Sequence, residues 1–332
     1  MSSVQVPPTS ENVFNDNARS SFGRQVSTFP WLLIAPTVLL LVALTIFPLI
    51  YSLFLSTHTY TNSVDREFTW LHNYWDLISD GDFRRKIWFT LQITVFAVAI
   101  ELVLGLLCAM VLIKRLPGMG VLRLIVYIPM MISPLVVAYF WRIMLDGSYG
   151  VFTWFADSLG FDKPQWTIDL TLAKASIITT DVWQWTPFVT LLMLAGLQSV
   201  PHQLYEAASL DRASKWMIFR QITLPHLRTP VLLALLFRTI DTFKLFDSVY
   251  VITQGGPGDL TETLSLNAYN VGFEQGLIGQ GAAISWIVVI VINILAVILI
   301  KALTHQDRRS AEGLEDEEDD APIVATPRGV SA

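Results

Sequence analysis

From residue 31 to residue 55 the chain runs for 25 residues without a single charged side chain. At ~1.5 Å per residue, a helix of that length reaches beyond the ~30 Å hydrocarbon core of a bilayer. Five more apolar stretches follow, at 87–113, 121–145, 175–197, 231–252 and 282–303. They are apolar all round rather than striped, which is the pattern of burial in lipid or in a bundle. The expected fold class is an all-α polytopic membrane protein with six transmembrane helices. Composition agrees, with 53% of the 332 residues hydrophobic and only 15% charged, against ~25% charged in soluble domains. A plain soluble enzyme and a disordered chain are both excluded.

The net charge of -6 is local. Eight acids and three bases fall at 307–332, so the rest of the chain stands at -1. Residues 306–332 are read as an acidic, disordered tail and residues 1–28 as a polar leader, with the transmembrane domain at 29–305. The first apolar run is too long, and starts too far from the N-terminus, for a cleaved signal peptide. With the N-terminus inside, the cytoplasmic segments hold 13 Lys and Arg, among them Arg19, Arg24, Lys114, Arg115, Arg212 and Arg328. The outer segments hold 6: Arg66, Arg84, Arg85, Lys86, Lys163 and Lys174. This bias places both termini in the cytoplasm. The outer loop 253–281 has Asp259, Glu262 and Glu274 and no base. The single cysteine, Cys108, lies in an apolar run and is read as a small buried hydrophobe.

The inner segment 199–230 is basic and amphipathic. Ser199 is a candidate N-cap and Pro201 suits a first helical turn, so a short helix is expected over 201–210. A second is expected over 214–222, stopping near Pro225. Such an element would lie on the membrane surface or dock into a soluble partner, and periodicity does not choose between them.

Within it stand Glu206-Ala207-Ala208, three further residues, Arg212, nine further residues, and Ile222-Thr223-Leu224-Pro225. This spacing resembles the cytoplasmic EAA loop of the permease subunits of binding-protein-dependent ABC importers. Arg212 replaces that pattern's glycine, which serves a tight turn at positive φ, leaving the geometry of the turn open. Further stretches are similar to the carbohydrate-uptake branch, the maltose/trehalose/glycerol-phosphate permease group. They are Trp70-Leu71-His72-Asn73-Tyr74, Gly150-Val151-Phe152-Thr153-Trp154-Phe155, Pro187-Phe188, Ala195-Gly196-Leu197, the segment from Phe237 to Asp247, and Gln254-Gly255-Gly256-Pro257-Gly258. The likeness covers roughly residues 31–303.

The resemblance implies a type I ABC importer permease fold with a cytoplasmic coupling helix, in a bacterial or archaeal cytoplasmic membrane. The implied partners are a second homologous permease subunit, two cytoplasmic ATPase subunits carrying ATP and Mg, an external solute-binding protein, a sugar such as trehalose or maltose, and membrane lipid. No nucleic acid is expected. ATP-driven closure of the ATPases would switch the pathway between inward- and outward-facing states. Coupling would fall to Leu204, Tyr205, Glu206, Ala207, Ala208, Leu210, Asp211, Arg212, Leu224 and Pro225. Because the loop is shared across importers, a non-sugar solute and a scaffold that binds an ATPase without transport remain alternatives.

The chain contains no Gly-Lys pair and so no Walker A sequence, and its five histidines lack zinc spacing. No catalytic residue, bound cofactor or metal is expected. Two intramembrane features stand out instead. Arg238, Asp241, Lys244 and Asp247 alternate in sign at three-residue steps, so neighbours can pair along a helix. Over nine residues, however, a helix turns ~900°, so the row spirals and cannot all line one pore. Glu101 is alone in its span and is expected to be functional or to pair with a base of a neighbour. Sugars are recognised by hydroxyl hydrogen bonds and by stacking on rings. The pathway candidates are therefore Tyr139, Trp141, Trp183, Gln184, Trp185, Asp241, Phe243, Lys244, Phe246 and Asp247.

Overall fold

The computed structural model describes residues 31, 33–60, 66–114, 117–160 and 162–319. The leader 1–28 with Arg19 and Arg24, residue Arg115, and tail residues 320–332 with Arg328 lie outside the described residues.

The first apolar run forms α1, Leu33–Ser56. Its turn Val42–Ile46 widens to a π-helix just before Pro48, which can neither donate a backbone bond nor clear the carbonyl four residues back. An antiparallel hairpin follows, β1 (His58–Tyr60) against β2 (Arg66–Phe68), with His58 opposite Phe68. The all-α expectation missed this short sheet, and its three-residue strands are too brief to show alternation. After α2 (His72–Ser79), α3 (Gly81–Leu112) runs unbroken for 32 residues. Asp80 caps it by accepting from the Asp82 N–H at 3.0 Å.

The third apolar stretch does not form the continuous helix expected. It is two helices, α4 (Met119–Met131) and α5 (Pro134–Met144), bent by 96°. Pro134 drives the residue before it out of the helical region, and Ser133 sits at ψ 135 and Ile132 at ψ 142. The Ile132 carbonyl freed by the break accepts from Gln184 Nε2 at 3.1 Å. The arginines of this stretch are spent on backbone as well. Arg123 donates to the Leu112 carbonyl at 2.8 Å, and Arg142 donates to the Val251 carbonyl.

Beyond α6 (Val151–Ser158), α7 (Leu170–Ser199) covers the fourth stretch, capped by Asp169. The inner segment gives α8 (His202–Leu210), then α9 (Lys215–Ile218) running on through a π-turn, Phe219–Thr223, and a last piece, Leu224–His226. The fifth stretch was expected as one helix over 231–252. The structure ends α10 (Arg228–Phe243) at Lys244 and resumes in a π-turn at Val249–Thr253. Irregular backbone at this depth is tolerated only where protein covers it, and Thr263 Oγ1 donates to the Leu245 carbonyl at 2.9 Å. A short α11 (Leu264–Tyr269) leads through a π-turn, Asn270–Glu274, to α12, Ile278–Asp319. Residues 306–319, part of the stretch 306–332 read as a disordered tail, continue this helix, and no proline interrupts them.

By length and hydropathy alone, α1, α3 and the Ile278–Ala302 part of α12 qualify as spans among the described residues, with the α4–α5 pair a fourth. The sequence reading counted six. Polar residues dilute α7, and α10 has only 16 residues.

The centre of the molecule is the crossing of α3, α7 and α10. Ala109 and Leu112 of α3 meet Val189, Met193 and Leu197 of α7, and Leu227 and Ala234 at the start of α10. The helices approach so closely that a Cβ on Gly105 would lie 2.6 Å from Val189, and one on Gly196 2.5 Å from Pro230. At the opposite end the bases at the head of α3 reach the acidic loop 253–281. Lys86 pairs with Glu262 at 2.5 Å and Arg85 with Asp259 at 3.2 Å.

Candidate functional site

Two regions carry chemistry. The first is the inner segment. Helix α8 ends in a Schellman motif. The Ala213 N–H reaches the Ala208 carbonyl at 2.9 Å and the Arg212 N–H reaches Ser209 at 3.2 Å. Arg212 itself sits at φ 55, in the left-handed region. The turn thus keeps the geometry that glycine would serve, despite the arginine. Ser214 then caps α9 by accepting from the Met217 N–H at 3.2 Å. Tyr205 Oη lies 3.2 Å from Thr223 Oγ1 and ties α8 to the segment after α9, while His202 Nδ1 holds Glu206 Oε1 at 3.1 Å. Glu206, Ala207, Asp211 and Arg212 are exposed, and so are Leu204, Leu210, Trp216, Met217 and Leu224. An ordered helix that leaves so many large apolar side chains uncovered offers a docking surface.

A left-handed non-glycine residue costs ~1–2 kcal/mol, partly offset because glycine has more freedom to lose on folding. Arg212→Gly is therefore expected to stabilise the chain by up to ~1 kcal/mol, raising the unfolding midpoint by a few degrees. A lower midpoint would mean that the arginine holds the turn through a contact of its own.

The second region lies within the helix crossing. The Arg238 guanidinium of α10 faces three carboxylates from three helices. Its Nε donates to Glu101 Oε2 at 2.6 Å and its Nη2 to Glu101 Oε1 at 2.9 Å, a two-pronged grip on α3. Nη2 also reaches Asp181 Oδ2 of α7 at 2.8 Å, and Nη1 reaches Asp241 Oδ2 of α10 at 2.8 Å. Thr242 Oγ1 accepts from Nη2 at 2.8 Å, and the Trp185 ring lies 5.0 Å from the guanidinium carbon. The side chains of Arg238, Glu101 and Asp181 are 1%, 0% and 2% exposed, whereas that of Asp241 is 43% and that of Lys244 54% exposed. Lys244 Nζ stands 3.7 Å from Asp241 Oδ1. These two, with Trp185, Phe188, Phe237, Ile240 and Arg238, line a half-open cavity of about 240 Å³. Charged groups at this depth do not face lipid. This side of α10 therefore opens on water or on another protein.

Residues 101–306 match the family described as the binding-protein-dependent transport system inner membrane component. The chain belongs to this family. The trehalose/maltose transport system permease protein MalF of Thermococcus litoralis is 36% identical over 86% of this permease and 97% of that protein. The trehalose transport system permease protein SugA of Mycobacterium tuberculosis is 35% identical over 82% and 87%. A probable ABC transporter permease of Sinorhizobium fredii is 40% identical over 83% and 90%. The fold is that of an ABC importer permease. A crystal structure of a bacterial ABC transporter involved in the import of alginate, an acidic polysaccharide, superposes with a TM-score of 0.75. The identity is 19%, over 88% of this permease and 99% of that chain.

Against this geometry the pathway candidates of the permease separate. Trp185, Asp241 and Lys244 share the cavity. Phe243 does not; it is buried among Phe83, Leu264 and Ile284 as core. Gln184 is occupied by the Ile132 carbonyl at the α4–α5 break. Phe246 stacks on Tyr250 with ring centres 5.2 Å apart and meets Tyr269 edge to face at 5.4 Å. Trp141 and Trp183 meet edge to face at 6.0 Å, beside Phe152, while Tyr139 is exposed on α5. The expected row on one helix holds only in part. Arg238–Asp241 and Asp241–Lys244 pair, but α10 ends before Asp247, which forms no ion pair among the described residues. The sequence allowed Glu101 a base on a neighbour; what it missed is that this base is Arg238 and that Asp181 joins them, across 137 and 57 residues. The available signal was that Glu101 and Asp181 are lone charges in their apolar runs.

Proposed function

We propose that this permease forms half of the pathway of an ATP-driven importer of a neutral disaccharide such as trehalose or maltose, and that segment 199–230 is its grip on cytoplasmic ATPase subunits that bind ATP and Mg. The observation that carries this reading is the cavity at α7 and α10. Aromatic rings and the Asp241–Lys244 pair stand together there, inside an otherwise apolar belt. Rings stack on sugar faces, and the carboxylate and ammonium serve hydroxyl groups. Relatives named for trehalose and maltose transport support the substrate class. In this reading both termini and α8 are cytoplasmic, in agreement with the Lys and Arg bias. A second, homologous permease covers the open face of α10, and an external binding protein delivers the sugar.

The test is uptake by the complex reconstituted with its partner subunits, across labelled trehalose, maltose, polyols and an amino acid. ATP-dependent uptake of a disaccharide, stimulated by the loaded binding protein, is the expected result. Uptake confined to the amino acid, or none at all, contradicts it. Asp241→Asn keeps the shape but removes the charge, and is expected to lower uptake at least ~10-fold, the loss of about one charged hydrogen bond. The complex should still assemble. Native uptake by this variant would remove Asp241 from the pathway.

A further inference from the structure

The helices on either side of the coupling segment have almost no slack. Only Val200 and Pro201 separate α7 from α8, and only Leu227 separates Leu224–His226 from α10. Val200 and Leu227 are buried, and proline restricts its own φ. Near that segment α7 and α10 are pressed together, Gly196 against Pro230 and Leu227, over an apolar cluster shared with α3. Deeper in the membrane the same three helices are joined a second time, through Arg238. A body fastened at two levels moves as one piece.

The deeper joint is made in an unusual way for a joint that only has to hold. An apolar cluster of equal volume stabilises a crossing as well as a buried ion group or better, because the ions must first lose their water. What the ions add is direction. The planar guanidinium accepts its carboxylates only along its own edges. The Nε and Nη2 edge is filled by Glu101 and Asp181, so the remaining Nη1 points at Asp241, whose other oxygen stands 3.7 Å from Lys244 on the same wall of the cavity. The position of the cavity carboxylate is thereby set by α3 and α7.

We propose that Arg238, Glu101 and Asp181 act together as positioning residues, fastening the helices that enter and leave the coupling segment to α3, so that a displacement of that segment reaches the Asp241–Lys244 wall of the cavity as a rigid-body movement. This rests on the functional reading above for the direction of coupling. It makes its own demand on three residues that the pathway reading does not need for stacking or hydroxyl recognition.

The test removes direction while keeping packing. The triple variant Glu101→Leu, Asp181→Leu, Arg238→Met has no buried charge to strand and is expected to assemble with its partner subunits. Lys244→Cys is placed in both the native and the triple background, with Cys108→Ala to leave one reactive thiol. Its reaction rate with a water-soluble maleimide is measured without nucleotide and with trapped ATP. In the native background the two rates are expected to differ at least ~5-fold, a modest change in cavity access. In the triple background they are expected to coincide, and the triple variant with Lys244 and Cys108 retained is expected to consume ~10-fold more ATP per sugar imported than the native complex. The same nucleotide-dependent difference in both backgrounds overturns the proposal. If the triple variant does not assemble, Glu101→Gln takes its place, with a diminished difference expected and an unchanged one overturning the idea. Sugar uptake by the unaltered complex is measured alongside. Its failure, with nucleotide-dependent labelling intact, counts against the sugar reading and leaves the positioning role standing.

Discussion

Arg238→Met by itself is expected to strip the permease from the membrane fraction. Among the described residues the guanidinium is the one base paired with Glu101 and Asp181, and both carboxylates are buried. Removing a single partner from a buried ion group costs ~3–5 kcal/mol, because the charges left behind have neither water nor a counterion. That is a large share of the ~5–15 kcal/mol by which a domain is stable. Lysine should not rescue it. A point charge on a flexible stem cannot meet Glu101 through two prongs while also reaching Asp181 and Asp241. The measurement is the amount of chain in membranes together with the yield of complex after solubilisation, and both should fall at least ~10-fold. Native abundance of the methionine variant would show that the network is replaceable one residue at a time. The triple apolar variant should accumulate far better than the single one, an inversion of the usual rule that more substitutions do more harm.

The second large effect is expected at the other end of the transmission. Ala207 is exposed on α8, so Ala207→Trp should leave folding nearly untouched, surface changes being worth ~0.5 kcal/mol or less. An indole there would hold any partner away from the helix and from the neighbouring Leu204 and Leu210. A central contact in an interface is typically worth ~2 kcal/mol or more, about 30-fold in affinity. Sugar uptake should fall at least that far, and ATP hydrolysis should stop responding to the loaded binding protein, while the amount of chain stays native. Glu206→Lys should act in the same direction by reversing a charge and breaking the contact with His202. Two variants that transport at the native rate would end the docking assignment for α8. The contrast with Arg238 is diagnostic: one lesion removes the protein, the other leaves it in place and disconnected.

The sequence by itself determined what is set by local chemistry. Long charge-free runs settled the membrane class, since only a helix satisfies its own backbone in lipid. Pro201 marked the start of α8, whereas Ser199, the candidate N-cap, ends α7 and donates its hydroxyl to the Gly196 carbonyl instead; the spacing of Glu206 to Pro225 pointed to the family. At Arg212 the sequence left the turn open, and the structure places it in the left-handed region. Local chemistry failed where a distant partner decides. The stretch 121–145 was expected as one helix, but Pro134 breaks it, and the Ile132 carbonyl freed at the 96° bend is met by Gln184. Lys244 looked helical until Thr263 supplied a donor for the neighbouring Leu245 carbonyl. Phe243 and Asp241 sit two residues apart with similar claims to the pathway, and the side of α10 each occupies sent one to the core and the other to the cavity. Above all, Glu101 and Asp181 are lone charges in their runs and Arg238 is one of a row of four, far apart along the chain. They became one site because burying a charge in a low dielectric is prohibitive until an opposite charge is brought to it, and only the crossing of three helices brings these together.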